Sequence, residues 1–164
     1  EKLHMQSLYA LAHLDNQLAG AHSYEQAFDA MRRLDLGVHE LEEMFRRMVF
    51  NVIARNQDDH TKNIAFLMDK SGNWALAPAF DVIYAYNPNG AWTSRHQMTI
   101  NGLRDGFRRS DMLAVADRFH IASAGDIIEQ VLGAARNWPE HAATAGVPDA
   151  STAAIADTHR TLQN

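Results

Sequence analysis

Between Leu41 and Ile53 the chain repeats apolar residues at helical spacing (Leu41, Met44, Phe45, Met48, Val49, Val52, Ile53), then turns abruptly polar at Arg55-Asn56-Gln57-Asp58. No other stretch constrains the fold as strongly. It predicts a helix over about 39–54, anchored by one face in a core, whose end delivers the next residues as a held loop. After Asn63 the runs IAFLM and WALA have strand character, and Lys70-Ser71-Gly72-Asn73 between them supplies turn residues. The expected hairpin returns the chain to Pro78-Ala79-Phe80-Asp81. A polar loop on a helix end, followed by a hairpin that comes back to one more Asp, is a way to gather oxygen ligands. The candidates are Asp58, Asn63 and Asp81, with His60 inside the loop.

Length and charge narrow the classes. A chain of 164 residues with 46% hydrophobic residues can bury one sizeable core, and it is read as a single unit over 1–164. The formal net charge of −5 gives no general basic face for nucleic acid or an anionic membrane. Without cysteine there are no disulfides and no thiolate metal sites, in keeping with a cytoplasmic protein. No run approaches the ~20 apolar residues of a membrane span, and no signal peptide is visible. The opening at Glu1 reads as mid-fold, so the expectation is a lobe excised from a longer protein.

The remaining elements follow from periodicity and caps. Leu8, Leu11, Ala12 and Leu18 predict a helix over 3–18 that Gly20 can end. Ser23-x-x-Gln26 is a capping box for a helix burying Ala27, Phe28, Met31 and Leu34. VIYAY is a short strand or helical turn before Asn87-Pro88-Asn89-Gly90, and His96–Ile100 is a further strand. Ser110 caps a helix carrying Met112, Val115 and Phe119. Another opens at Ser123 and runs through Trp138 until Pro139 breaks it, and a last one, capped by Ser151, reaches about Leu162. The fold class is mainly α within α+β: a helical lobe with a small β-hairpin at its active edge.

The order Asp58, four residues, Asn63, then a later Asp81 is the phosphoryl-transfer pattern of the protein-kinase fold. It departs from the usual His-Arg-Asp form, because His60 follows the Asp by two positions. Asp-x-His-x-Lys-Asn with a later Pro-x-x-Asp resembles the C-terminal catalytic lobe of HipA-family kinases, the serine/threonine kinase toxins of bacterial toxin–antitoxin pairs. The resemblance runs from the opening residues to about Ile121 and is most specific over 54–84. It implies that Asp58 is the catalytic Asp, with the motif His60 counted beside it. It implies that Asn63 and Asp81 are the two magnesium ligands, and that Lys62 joins them on the cofactor side. Asp59 falls in a variable slot and receives no catalytic part. The implied cofactors are ATP and Mg2+. The implied partners are a DNA-binding antitoxin of the HipB type and a protein substrate, an aminoacyl-tRNA synthetase in studied relatives; direct nucleic-acid or membrane binding is not expected. A glycine-rich phosphate loop, a phosphate-pairing strand lysine and an adenine hinge belong to the family's N-terminal half and are not among these residues.

Rival readings remain open at this point. Asp and Asn close loops and cap helices without catalytic purpose. The kinase fold could serve as a non-catalytic module that binds an antitoxin or DNA complex. Asp58, His60 and Asp81 could instead support a metal-assisted hydrolase, although no His-Glu-x-x-His accompanies them. Lipid kinases of the inositide type share an Asp-x-His-x-x-Asn arrangement.

Overall fold

In the computed structural model, residues 3–14 and 19–162 are described. The helix expected from the 41–53 pattern is α3 (Val38–Ile53), and all seven apolar positions of that pattern are buried. Around it pack α2 (Tyr24–Arg33), α4 (Arg109–Phe119) and above all α5 (Ala124–Arg136). Burial of each such side chain contributes about 1.5–3 kcal/mol, so this face alone fixes α3 firmly. Phe28 of α2 and Phe119 of α4 stack with ring centroids 4.9 Å apart, closing the core on the far side. The capping box forms as expected: Ser23 Oγ accepts from Gln26 N at 3.2 Å, and Gln26 Oε1 accepts from Ser23 N at 2.9 Å.

The hairpin is β3 (Ala65–Met68) and β4 (Trp74–Leu76), paired antiparallel with Phe66 opposite Leu76. Its turn closes on Asp69, whose carboxylate accepts from Ser71 N, Asn73 N and Asn73 Nδ2 at 2.8, 2.9 and 3.0 Å. The Asn73 side chain first, then these backbone amides, hold the Asp69 carboxyl below its ordinary range. Gly72, at φ +85°, takes the left-handed position that the turn requires. A third strand, β1 (His4–Ser7), adds to the other edge of β3, giving the order β1-β3-β4. A second, two-residue sheet pairs β2 (His22–Ser23) parallel with β5 (Met98–Thr99), tying the start of α2 to the segment that carries His96 and Gln97.

Several expectations are corrected. The helix foreseen over 3–18 is β1 followed by a four-residue helix, α1 (Leu8–Leu11); Leu18 lies outside the described residues. Backbone pairing with β3 outweighs the helical spacing there, and Ser7 caps what helix remains. Residues 82–86 form no strand or helical turn beyond an isolated bridge of Ala85 with Asn56. Helix α4 is capped at Arg108, whose N–H donates to Asp111 Oδ2 at 2.8 Å, so Ser110 lies inside the helix. Trp138 opens a separate α6 (Trp138–Thr144) with Pro139 in its first turn, where a missing N–H costs nothing. The last helix, α7 (Asp149–Ala156), starts after Pro148 and stops short of Leu162. Among the described residues no helix is long and apolar enough to cross a membrane.

Candidate active site

Helix α3 stops at Ala54, and Arg55 turns the chain through φ +59°. Arg55 itself is engaged away from the loop: its Nε donates to Thr158 O at 2.7 Å, and its guanidinium lies 4.4 Å over the Tyr86 ring. The loop is then pinned at its first two positions. Asn56 Nδ2 donates to Asn51 Oδ1 of α3 at 3.0 Å, and Gln57 N donates to Ala85 O at 3.2 Å. The Thr61–Asn63 stretch is a single 3₁₀ turn, entered by His60 N donating to Asp58 O and Asn63 N donating to His60 O, at 3.0 and 2.9 Å.

That turn brings three of the sequence-predicted residues together. Asn63 Nδ2 donates both to the backbone oxygen of Asp58, at 3.1 Å, and to Asp81 Oδ2, at 3.0 Å. With the amide nitrogen committed in this way, the carbonyl oxygen is the part of Asn63 that can meet a cation. Asp81 sits in the left-handed region at φ +53°, a conformation that costs roughly 1–2 kcal/mol and that Asp tolerates better than most residues. It is approached by a held segment, because Arg47 Nη1 of α3 donates to Ala77 O at 2.9 Å while its Nε pairs with Glu43 at 2.8 Å. Asn63, Asp81 and His60 line one cleft of ≈ 210 Å³ that Tyr24 and Asp59 also back, with Glu43, Arg46, Arg47 and Phe80 on its walls; Asp58 is not among its lining residues.

The other candidates are placed less uniformly. Asp58 leaves 39% of its side chain exposed, and His60 Nε2 stands 4.0 Å from its Oδ1. Lys62 extends over the Tyr9 ring of α1, its Nζ 5.0 Å from the centroid, and is not part of the cleft wall. Among the described residues no three His, Cys, Asp or Glu side chains converge as a metal site, so Asp58, His60 and Asp81 do not form the cluster a hydrolase centre would need. What does converge is the Asp81 carboxylate and the Asn63 side-chain amide, joined by the Nδ2–Oδ2 bond. Hard oxygen ligands of this kind suit Mg2+, which keeps waters and phosphate oxygens in the rest of its shell.

Asp59, which the sequence left without a role, is the most heavily bonded carboxylate in the loop. It is 3% exposed, and it accepts from Tyr24 Oη, His96 Nδ1 and Gln97 N, each at 2.8 Å. Tyr24 Oη in turn accepts from Asn51 Nδ2 at 3.0 Å. Burial foremost, then the nearby Asp59 charge, pushes the Tyr24 hydroxyl well above its ordinary value. Nothing periodic in the sequence marks this cluster. The only available signal was a second Asp directly after the motif Asp.

Comparison with known proteins agrees with this architecture. The model of the HipA-like C-terminal domain family matches residues 1–139. Among solved structures, the chain is similar to a chain of the Shewanella oneidensis MR-1 toxin–antitoxin complex of HipA, HipB and operator DNA, with TM-score 0.64 and 20% identity. That likeness, which is one of fold, covers 87% of this chain and 34% of the other, so the present chain spans about a third of that relative's length. No curated protein matches the chain.

Proposed function

The chain belongs to the family of HipA-like C-terminal domains, and from that premise we propose that it is the catalytic lobe of an ATP- and Mg2+-dependent serine/threonine protein kinase. The observation that carries this reading is the Asn63 amide, which joins the Asp58 backbone to the Asp81 carboxylate across 18 residues of sequence. In this reading Asn63 Oδ1 and the Asp81 carboxylate hold the cation. Held there, Mg2+ would supply positive charge to offset the negative charge of the transferred phosphoryl group. Asp58, with its carboxylate reaching solvent, orients the acceptor hydroxyl and takes its proton. The hydroxyl oxygen forms a bond to the γ-phosphorus as the bond from that phosphorus to the ADP oxygen breaks. His60 stands where it can steady the Asp58 carboxylate, and Arg46 and Arg47 line the cleft paired with Glu43. Lys62 would have to leave Tyr9 to serve the nucleotide.

Partners belong to the same proposal. A HipB-type DNA-binding antitoxin and a protein acceptor, an aminoacyl-tRNA synthetase in the family resemblance, are the expected ones, in the cytoplasm. The groups that cradle ATP phosphates in this family belong to its N-terminal half. These 164 residues by themselves are therefore expected to fold but not to turn over. The test joins this domain to a nucleotide-binding lobe and follows transfer of label from γ-labelled ATP to serine or threonine. Mg2+-dependent labelling that Asp81→Ala abolishes is the expected result. Labelling that persists in that variant would remove Asp81 from the mechanism, and absence of any labelling would favour a binding module.

A further inference from the structure

We propose that Asp59 is a positioning residue: with Tyr24 and His96 it forms a buried lock that fixes the peptide on the far side of Asp58 and so sets where the Asp58 carboxylate stands. The proposal rests on the catalytic reading of Asp58. Polar loops ordinarily run over the surface and move, whereas a group that must meet a reacting hydroxyl has to be held to within about half an ångström. Here the residues flanking Asp58 are tied to four separate parts of the fold. Asn56 is tied to α3 through Asn51, and Gln57 to Ala85. Asp59 is tied to α2 through Tyr24 and to the segment before β5 through His96 and Gln97.

The directions of these bonds follow from one group. An ionised carboxylate only accepts, so the single Tyr24 proton points at Asp59 and His96 carries its proton on Nδ1. Tyr24 Oη must then accept, so Asn51 presents its NH2 to Tyr24 and its oxygen to Asn56. Donors thus run in one sense from Asn56 to Asn51 to Tyr24 to Asp59, each polarising the next. Asp59 and His96 have side chains only 1% and 0% exposed, so water cannot substitute for either partner. Asparagine at 59 has the right shape and the wrong polarity: one side of it would turn an NH2 toward N–H or O–H donors. The lock distinguishes neighbouring carboxylates with opposite tasks, one buried to hold and one exposed to react.

The test uses Asp59→Asn and the milder Tyr24→Phe, with two readouts. On this chain, amide hydrogen exchange over residues 56–63 should accelerate at least ~10-fold in Asp59→Asn while α5 amides keep their rates. In the protein joined to a nucleotide-binding lobe, kcat should fall ~10–100-fold with KM for Mg·ATP unchanged, the scale of a small misplacement of a reacting group. Tyr24→Phe, which removes one donor and leaves His96 and Gln97 on the carboxylate, should show a smaller loss of the same kind. It carries the test if Asp59→Asn does not fold. Unchanged loop exchange, or faster exchange with unchanged kcat, would overturn the proposal. Full activity in Asp58→Asn would instead sink the catalytic reading, and the exchange data would still say whether the lock exists.

Discussion

The motif loop has two faces built from the same residue types and put to different ends. On its inner face Tyr24, Asn51, Asn56, Asp59 and His96 are linked side chain to side chain behind the cleft, with Asp59 and His96 almost fully buried. On its outer face Asp58 and His60 keep 39% and 32% of their side chains exposed, and Asn63 and Asp81 meet at the cleft. The inner face trades chemical availability for rigidity, and the outer face does the reverse. Asp58 and Asp59 show the contrast most sharply. Adjacent in sequence and identical in chemistry, they differ only in what the fold places beside them.

The largest expected effect breaks the outer face. Asp58→Asn in the protein joined to a nucleotide-binding lobe should lower phosphoryl transfer by ~10²–10⁴, while nucleotide binding survives. Steady-state kinetics beside nucleotide titration will show whether the loss is in turnover. The same substitution should scarcely touch folding, within about 0.5 kcal/mol, as is usual for an exposed side chain. Asp59→Ala should do the opposite. It leaves three buried donors without an acceptor and should cost about 3–5 kcal/mol in urea denaturation. Equal stability losses at the two positions would erase the distinction between the faces.

A pH experiment sharpens the comparison. Because burial and the Asp59 charge hold the Tyr24 hydroxyl protonated, the folded state keeps a proton that the unfolded chain releases near pH 10. The unfolded state then binds fewer protons, so stability is intact below pH 10 and falls as pH rises above it. Tyr24→Phe should flatten that alkaline limb while costing about 1.5–3 kcal/mol at neutral pH for the lost hydrogen bond to a charged group. Melting curves of both proteins between pH 7 and 11 will test the sign. The smallest effect is expected at Asp81→Gly. Glycine adopts φ +53° freely, so relief of strain should offset the lost Asn63 bond and leave stability within about 1 kcal/mol of the parent, although the cation ligand is gone.

What the sequence could reveal follows the range of each interaction. The α3 face was legible because helical burial repeats every three to four residues, and the hairpin because Gly72 and its neighbours announce a turn. Asp58, Asn63 and Asp81 were legible as a spacing. The Asp59 lock was not, since its partners Tyr24 and His96 lie 35 and 37 residues away in opposite directions along the chain. The amino-terminal strand failed for the same reason. Leu8 and Leu11 have helical spacing, but the residues before them are claimed by β3, some sixty positions later. Trp138 belongs to α6 and not to α5 because a proline, which breaks a helix from within, is equally at home in the first turn of a new one.

The central claim is that the outer face holds a divalent cation between Asn63 and Asp81, and paramagnetic relaxation measures this on the chain itself. Mn2+, with ATP present, stands in for Mg2+ and broadens NMR signals according to distance even when binding is weak. The account predicts that broadening centres on the Asn63 side-chain amide and the Asp81 backbone amide, falls off with distance from that pair, and disappears in Asp81→Ala. Broadening centred elsewhere, or undiminished in that variant, would contradict it.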